Sequence, residues 1–349
     1  MQIENFIVPI DMPIVEIMKQ IEHNLKGIVY VCDEDRRILG VITDGDVRRA
    51  IISTGNLNLK ADGVMKTEPI VLSEDERGMA HIVMKKKFIR SVPILDQDNR
   101  IVEIRFLDAD VIDREKIIDV PVVIMAGGKG VRLQPYTNIL PKPLIPIGEK
   151  TITEHIITRF VQAGCSSFDM IVNYKKHIIK AYFRDLDTNI NINFIDEEQF
   201  LGTAGGLRLL IGKYNDSFFM TNCDILIQED YSKILKFHKE NGNLATIVGA
   251  VTNTSIPYGV LETTADGRVT ALKEKPNIST IVSTGLYVLE PEFLERIPEN
   301  QSVDITDVLQ ECIDNGLRIG MYPISDNHWL DMGQMEELEK MTKRLGDIG

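Results

Sequence analysis

The alternation of apolar and polar positions divides the chain into a short repeated front part and a longer, regular back part. In the front part, Ile14 to Ile21 carries apolar residues at helical spacing, and Gly27 to Cys32 reads as a strand. The polar turn Asp33 to Arg36 follows, then a returning strand Ile38 to Ile42 and a helix from about Asp44 to Ser53. A second copy begins at Val64. It places a helix near Met79 to Lys87, a strand at Ser91 to Leu95, a turn at Asp96 to Asn99 and a strand at Ile101 to Ile104. Each half is a βαββ-like unit, and the two need one another to cover their sheets. The charged stretch Asp108 to Asp119 reads as a solvated helix or linker. A domain boundary is therefore expected near residue 118, with halves of about 1–62 and 63–118 and a second domain over 119–349.

The back part opens on Val120 to Met125, a continuous apolar run as in a buried parallel strand. Further strands are expected at Phe168 to Asn173, Ile190 to Ile195, Asp216 to Thr221 and Leu244 to Val251. Helices are expected between them, at Thr153 to Ala163, Ile178 to Leu186, Thr203 to Ile211 and Ser232 to Asn241. This alternation predicts an α/β, Rossmann-like sheet with ligands at the carboxyl ends of its strands.

Composition narrows the chemistry. The 349 residues suffice for two domains, and 44% hydrophobic with 26% charged residues is a globular balance. A net charge of −13 makes nucleic acid and anionic membrane poor partners, so neither is expected. Apolar runs fall short of the roughly 18 residues of a membrane span, and the N-terminus lacks the pattern of a secretory signal. Cys32, Cys165, Cys223 and Cys312 are scattered without a CxxC pair, which points away from zinc or a disulfide framework and fits the cytoplasm. In so acidic a chain, phosphates must be handled by local cations and backbone amides.

Such a place follows the first strand of the back part. Ala126-Gly127-Gly128-Lys129-Gly130 is a glycine-rich turn that lets amides approach phosphate. It is neither a P-loop nor the GxGxxG dinucleotide fingerprint, which argues against a dehydrogenase. Alone such a segment is more often just a turn. Arg132 then offers a planar fork for phosphate oxygens, and Lys142, between Pro141 and Pro143, a point charge on a stiffened backbone. Two cations and an amide nest suit a triphosphate that loses pyrophosphate.

The whole segment GGKGVRLQPYTNILPKPLIPI resembles the signature of the sugar nucleotidyltransferases, and the resemblance runs on from 120 to about 340. It implies transfer of a nucleotidyl group from a nucleoside triphosphate (NTP) to a sugar 1-phosphate, with Arg132 and Lys142 catalytic and Ala126, Gly127, Gly128, Gly130 and Gly202 at the nucleotide. Leu201-Gly202-Thr203-Ala204-Gly205 resembles the nucleobase loop. Asp224 and Asp331 match the family's Mg²⁺ carboxylates, although Cys223 stands where the family has glycine. Gly259, Glu274, Lys275 and Thr284 match its sugar-phosphate end. Taken singly, each of these also reads as a turn, cap or surface charge. The chain ends soon after Asp331 without hexapeptide repeats, so a fused acetyltransferase is not expected.

The front part resembles a tandem pair of CBS (cystathionine-β-synthase) domains, most clearly at Gly40-Val-Ile-Thr43-Asp-Gly-Asp46-Val. That resemblance implies an adenine nucleotide held by Thr43 and Asp46; the same two residues equally suit a helix cap. The second half, Val102-Glu-Ile-Arg-Phe-Leu-Asp108, lacks the hydroxyl residue. CBS pairs tend to pair with one another, so a homo-oligomer is expected. The combined arrangement, a CBS pair ahead of a transferase, is similar to the glucosamine-1-phosphate guanylyltransferases of legionaminic acid synthesis. It implies GTP and glucosamine 1-phosphate as substrates. Mannose-1-phosphate guanylyltransferase and glucose-1-phosphate thymidylyl- or uridylyltransferase remain alternatives, as does a nucleotide-sensing regulatory protein.

Overall fold

A computed structural model describes residues 3–87, 89–107, 118–186 and 190–332. Most of the linker expected at 108–119, and Gly333, lie outside the described residues. The chain divides into two compact units: Met1–Ile112 with Val251–Ile281, and Asp113–Ala250 with Val282–Gly349.

The first unit contains the repeat. Its first half runs β1 (Ile7–Pro9), α1 (Ile14–Asn24), β2 (Ile28–Cys32), β3 (Ile38–Thr43) and α2 (Asp44–Thr54). Its second half runs β4 (Leu72–Ser73), α3 (Ala80–Lys87), β5 (Ser91–Leu95) and β6 (Ile101–Phe106). Each half forms one three-stranded sheet, with a parallel pair (β1 with β2, β4 with β5) and an antiparallel pair (β2 with β3, β5 with β6). The match extends to the turns. Asp33 and Asp96 each accept two downstream backbone amides on Oδ1, and Arg36 and Asn99 each take a left-handed φ, 64° and 60°. The halves are joined reciprocally: the Ile38 amide donates to the Asn99 carbonyl, and the Ile101 amide to the Arg36 carbonyl. Phe6, Tyr30, Cys32, Leu95 and Ile101 from both halves share one core, so neither sheet is covered without the other.

Thr43 and Asp46 form a capping box on α2. Asp46 is 6% exposed, and its carboxylate takes the Thr43 amide at 2.9 Å, the Thr43 hydroxyl, Arg49 at 2.5 Å and Lys66 at 3.1 Å. Burial pushes against its charge, but these partners hold its carboxyl below the ordinary range. The structure thus gives both residues the cap role, with the carboxylate already satisfied from within the chain. The same unit carries a hairpin arm, β15 (Val260–Thr263) and β16 (Val269–Lys273).

The second unit starts with β7 (Val122–Ala126). The short strands β8 (Pro146–Ile147) and β9 (Lys150–Thr151) precede α4 (Ile152–Ala163), β10 (Ser167–Val172), α5 (Lys176–Asp185) and β11 (Asn191–Asp196). Then come α6 (Gly202–Gly205), β12 (Phe218–Asn222), β13 (Ile225–Ile227), α7 (Tyr231–Glu240) and β14 (Ala245–Ser255). After the arm follow β17 (Asn277–Leu289), α8 (Pro291–Leu294), α9 (Ile305–Asp314), β18 (Ile319–Ser325) and β19 (Trp329–Asp331). The main sheet has the order β11-β10-β7-β12-β17-β14-β18. Its first four strands are parallel, and β17 runs antiparallel to β12. It is therefore a mixed sheet, the Rossmann-like α/β class expected.

Alternate residues of β7 explain the burial of both faces. Val122, Ile124 and Ala126 join one hydrophobic core and Val123 the other. From β7 the chain moves outward to β10 and β11, then returns to β12 on the other side. That reversal opens a crevice at the carboxyl end of β7. One expected element differs: the helix over Thr203 to Ile211 is a four-residue α6 followed by a 3₁₀ turn, Gly206–Leu210. A Cβ on Gly205 would stand 2.5 Å from the Leu201 Cβ, so the close approach there requires glycine.

Candidate functional site

At the crevice the chain leaves β7 through the glycine turn. Gly130 takes φ 65°, and a Cβ on it would stand 2.9 Å from Thr137 Cγ2 and 3.1 Å from Lys142 Cβ. A Cβ on Gly127 would stand 2.9 Å from Glu197 Oε2. Gly130 is therefore required both by backbone conformation and by space, whereas at Gly127 the obstacle within 3 Å is the end of the Glu197 side chain. The Thr137 hydroxyl donates to the Gly130 carbonyl at 2.9 Å and folds the loop back on itself. Two 3₁₀ turns, Val131–Leu133 and Lys142–Leu144, then present Arg132 and Lys142. Together they border a cleft of about 260 Å³ lined by Gly127, Gly128, Gly130, Arg132, Lys142, Glu197, Phe200, Gly202, Thr203, Asn222, Cys223 and Asp224, among others.

Asp224 stands just beyond β12, 8% exposed, and its carboxylate forms an ion pair and hydrogen bond with the Lys142 ammonium. Burial pushes the neighbouring Cys223 thiol up to about 12, the Asp224 charge adds to this, and Lys142 opposes it. Cys223 is thus a neutral, buried thiol in the lining of the cleft. The two-stranded ladder of β13 and β19 sets Asp331 opposite Ile225, and the Met332 amide donates to the Asp224 carbonyl at 2.9 Å. Asp331 is not among the cleft-lining residues.

These two carboxylates are the residues that could hold a divalent metal. Among the described residues no group of three or more His, Cys, Asp or Glu is arranged to hold one unaided. A hard cation that completes its shell with phosphate oxygens needs only one or two protein carboxylates. The lysine ammonium seated on Asp224 already marks that carboxylate as a cation position. Carboxylate oxygens are the donors that Mg²⁺ takes together with phosphate oxygens.

The other end of the cleft is built by a second loop. Gly202 has φ 77°, and a Cβ there would stand 2.4 Å from the Val303 carbonyl oxygen. Val303 donates its amide to the Leu201 carbonyl at 2.9 Å and accepts the Ala204 amide at 3.0 Å. The Thr203 hydroxyl accepts the Ile305 amide at 2.9 Å, tying this loop to the start of α9. Behind it lies Glu197, 3% exposed. Its Oε1 accepts the Leu201 amide at 3.1 Å, and burial raises its carboxyl pKa, with that amide opposing. Glu197 and Asn222 line the cleft without being among the expected site residues. Glu197 lies within the acidic run Asp196-Glu197-Glu198, where the pattern does not tell a pocket carboxylate from a surface one.

The remaining expected residues fall elsewhere. Ala126 is fully buried in the core of the second unit and is not among the lining residues. The Thr284 hydroxyl is spent within the sheet, donating to the Val248 carbonyl at 2.9 Å and accepting the Leu286 amide. Gly285 beside it leaves room for Asn222, whose Nδ2 would be 2.6 Å from a Cβ there. Gly259, Glu274 and Lys275 lie on the arm of the first unit. There Glu274 Oε2 would be 3.2 Å from a Cβ on Gly259, and Lys275 takes a left-handed φ of 45°.

A glucose-1-phosphate uridylyltransferase of Synechocystis is 32% identical over 236 residues, covering 62% of this chain and 60% of the relative. A mannose-1-phosphate guanyltransferase of Aspergillus fumigatus is 30% identical over 224 residues, covering 62% and 61%. The chain thus spans about six tenths of the length of the curated relatives it matches. In fold, it is similar to the crystal structure of HddC from Yersinia pseudotuberculosis, with a TM-score of 0.52 at 23% identity over 65% of this chain and 99% of that one. The CBS domain model matches residues 1–53. The nucleotidyl transferase model matches residues 121–347, most of the chain, and so the protein belongs to the nucleotidyl transferase family.

Proposed function

We propose that the chain transfers a nucleotidyl group from GTP to a sugar 1-phosphate, releasing pyrophosphate. The observation that carries the reaction class is the meeting of the glycine turn, Arg132, Lys142 and Asp224 in one cleft at the switch point of the sheet. An oxygen of the sugar phosphate attacks the α-phosphorus. The new P–O bond forms as the bond to the bridging oxygen breaks, and pyrophosphate leaves with that electron pair. The nucleophile is already an anion, so no general base is needed. The turn amides and Arg132 orient the triphosphate, and Lys142 offsets charge building on it. Lys275 is proposed for the sugar phosphate and Glu274 for its hydroxyls. A Mg²⁺ ion held by Asp224 and Asp331 would supply Lewis-acid charge at the phosphates.

Glu197 supports guanine as the base. A carboxylate matches the adjacent N1–H and N2–H donors of guanine, whereas uracil and thymine present carbonyl oxygens on either side of a single donor. The relatives' names include both guanylyl and uridylyl transfer, so a uridylyl reading stands second. For the acceptor we propose glucosamine 1-phosphate, in a legionaminic-acid-type pathway, on the resemblance in domain order. Pyrophosphate release from a panel of NTPs and sugar 1-phosphates tests all of this. GTP should give the highest kcat/KM. UTP or dTTP at parity would remove the guanine reading, and no release from any pair would remove the reaction. Glu197→Gln should lower kcat/KM for GTP by roughly 10-fold to 100-fold, as expected for a lost paired contact of about 1–3 kcal/mol. Activity with UTP should fall less or rise.

A nucleotide-sensing role for the N-terminal unit would require Asp46 to release Arg49 and Lys66. Calorimetry of the full chain with AMP and ATP tests it.

A further inference from the structure

Lys175 lies outside every motif singled out above, yet it holds the phosphate loop by three bonds. Its ammonium donates to the carbonyls of three consecutive residues: Thr137 at 3.3 Å, Asn138 at 2.7 Å and Ile139 at 2.8 Å. These residues form the bend between the turns that carry Arg132 and Lys142. The next residue back adds to the anchorage, because the Tyr174 amide donates to the Gly127 carbonyl at 3.3 Å. Thr137 passes the restraint on: it is 1% exposed, its hydroxyl holds Gly130, and its methyl packs where a Gly130 Cβ would be.

The backbone at this position is unusual too. Lys175 has φ 53° and ψ 31°, a left-handed conformation that a side chain bearing a Cβ rarely adopts. It stands as the N-cap of α5 without any side-chain capping bond. A lysine therefore occupies a place where glycine or asparagine would relieve the backbone and cap the helix as well. Helix capping does not account for that choice. The ammonium, with three donors converging on three carbonyls, does.

We propose that Lys175 is a positioning residue for nucleotidyl transfer: by gathering the carbonyls of 137–139 it sets the loop that presents Gly130, Arg132 and Lys142 to the triphosphate. This rests on the reaction proposed above. Lys175 touches no reacting atom and acts through the loop.

The test uses the full chain and two variants. Lys175→Gly removes the clamp while relieving the left-handed backbone, so it separates loss of position from loss of fold. Lys175→Arg keeps donors at the same place. For Lys175→Gly we expect a Tm within about two degrees of wild type, kcat lowered at least about 30-fold, and KM for the sugar 1-phosphate within about twofold. Lys175→Arg should recover at least about a third of wild-type kcat. Wild-type kcat in Lys175→Gly would overturn the proposal. So would a Tm loss that accounts for the lost activity, or an arginine variant no better than glycine. An inactive wild type across all NTPs would instead overturn the reaction itself.

Discussion

Lys142→Met is expected to lower kcat by roughly 100-fold to 1,000-fold, the usual cost of removing one group aimed at transition-state charge. The same change removes the partner of Asp224, whose side chain is 11% exposed and paired with Lys142 in the free protein. A buried carboxylate stripped of its cation costs on the order of 3–5 kcal/mol. A drop in Tm should therefore accompany the loss of rate. Adding Mg²⁺ should restore part of the Tm of the variant, because a divalent ion supplies the missing positive charge. It should restore little of the kcat, because methionine cannot follow charge onto the leaving phosphates. Melting curves with and without Mg²⁺, set beside steady-state kinetics, check both halves. A variant with wild-type kcat would show that Lys142 serves only to neutralise Asp224.

Gly202→Ala is expected to damage both stability and turnover. A side chain at φ 77° costs roughly 1–2 kcal/mol in backbone terms. The added Cβ would also press on the Val303 carbonyl oxygen from 2.4 Å, an overlap that moves backbone at roughly 1–3 kcal/mol. Gly212 is the control: its φ is 76°, but a Cβ there would meet nothing within 4 Å. Gly212→Ala should therefore show the backbone cost alone and keep its kinetic constants. Gly202→Ala should melt several degrees lower than the control and bind the nucleotide more weakly, because Val303 and Leu201 hold the loop together. Equal melting and equal KM for the two variants would sink the assignment of Gly202 to the nucleotide loop.

Much of the fold was legible because it depends on local spacing. The apolar run before Gly127 marks β7, and helical spacing marks α4 and α7 within a residue of their observed ends and α1 to three residues short of its C-terminal end. The repeat was legible as well, down to the matching aspartate turns at Asp33 and Asp96. The structure departs from the local pattern where a long-range contact overrides it. The helix expected from Thr203 is shortened where the Leu201 carbonyl and the Ala204 amide bond to Val303, about a hundred residues away in the chain. The expected sugar-site hydroxyl of Thr284 is consumed by a sheet neighbour, Val248, 36 residues away.

By itself the sequence determined the parts whose chemistry is carried by adjacent residues. These are the glycine turn after a buried strand, the cations that follow it, and the aspartate at the end of another strand. Local backbone freedom and short spacing suffice for them, since a left-handed turn and the step from strand to loop involve only a few residues. Only the tertiary structure decided which groups meet. It paired Lys142 with Asp224 and, through the β13–β19 ladder, set Asp331 opposite Ile225, the residue that follows that aspartate. It turned Glu197 toward the cleft among outwardly similar acids, and it closed Asp46 within its own cap. It also brought Lys175 onto the bend of the phosphate loop. The charge and reach of a side chain are written at its own position. The partner that determines its role is set by strand order and register across the fold.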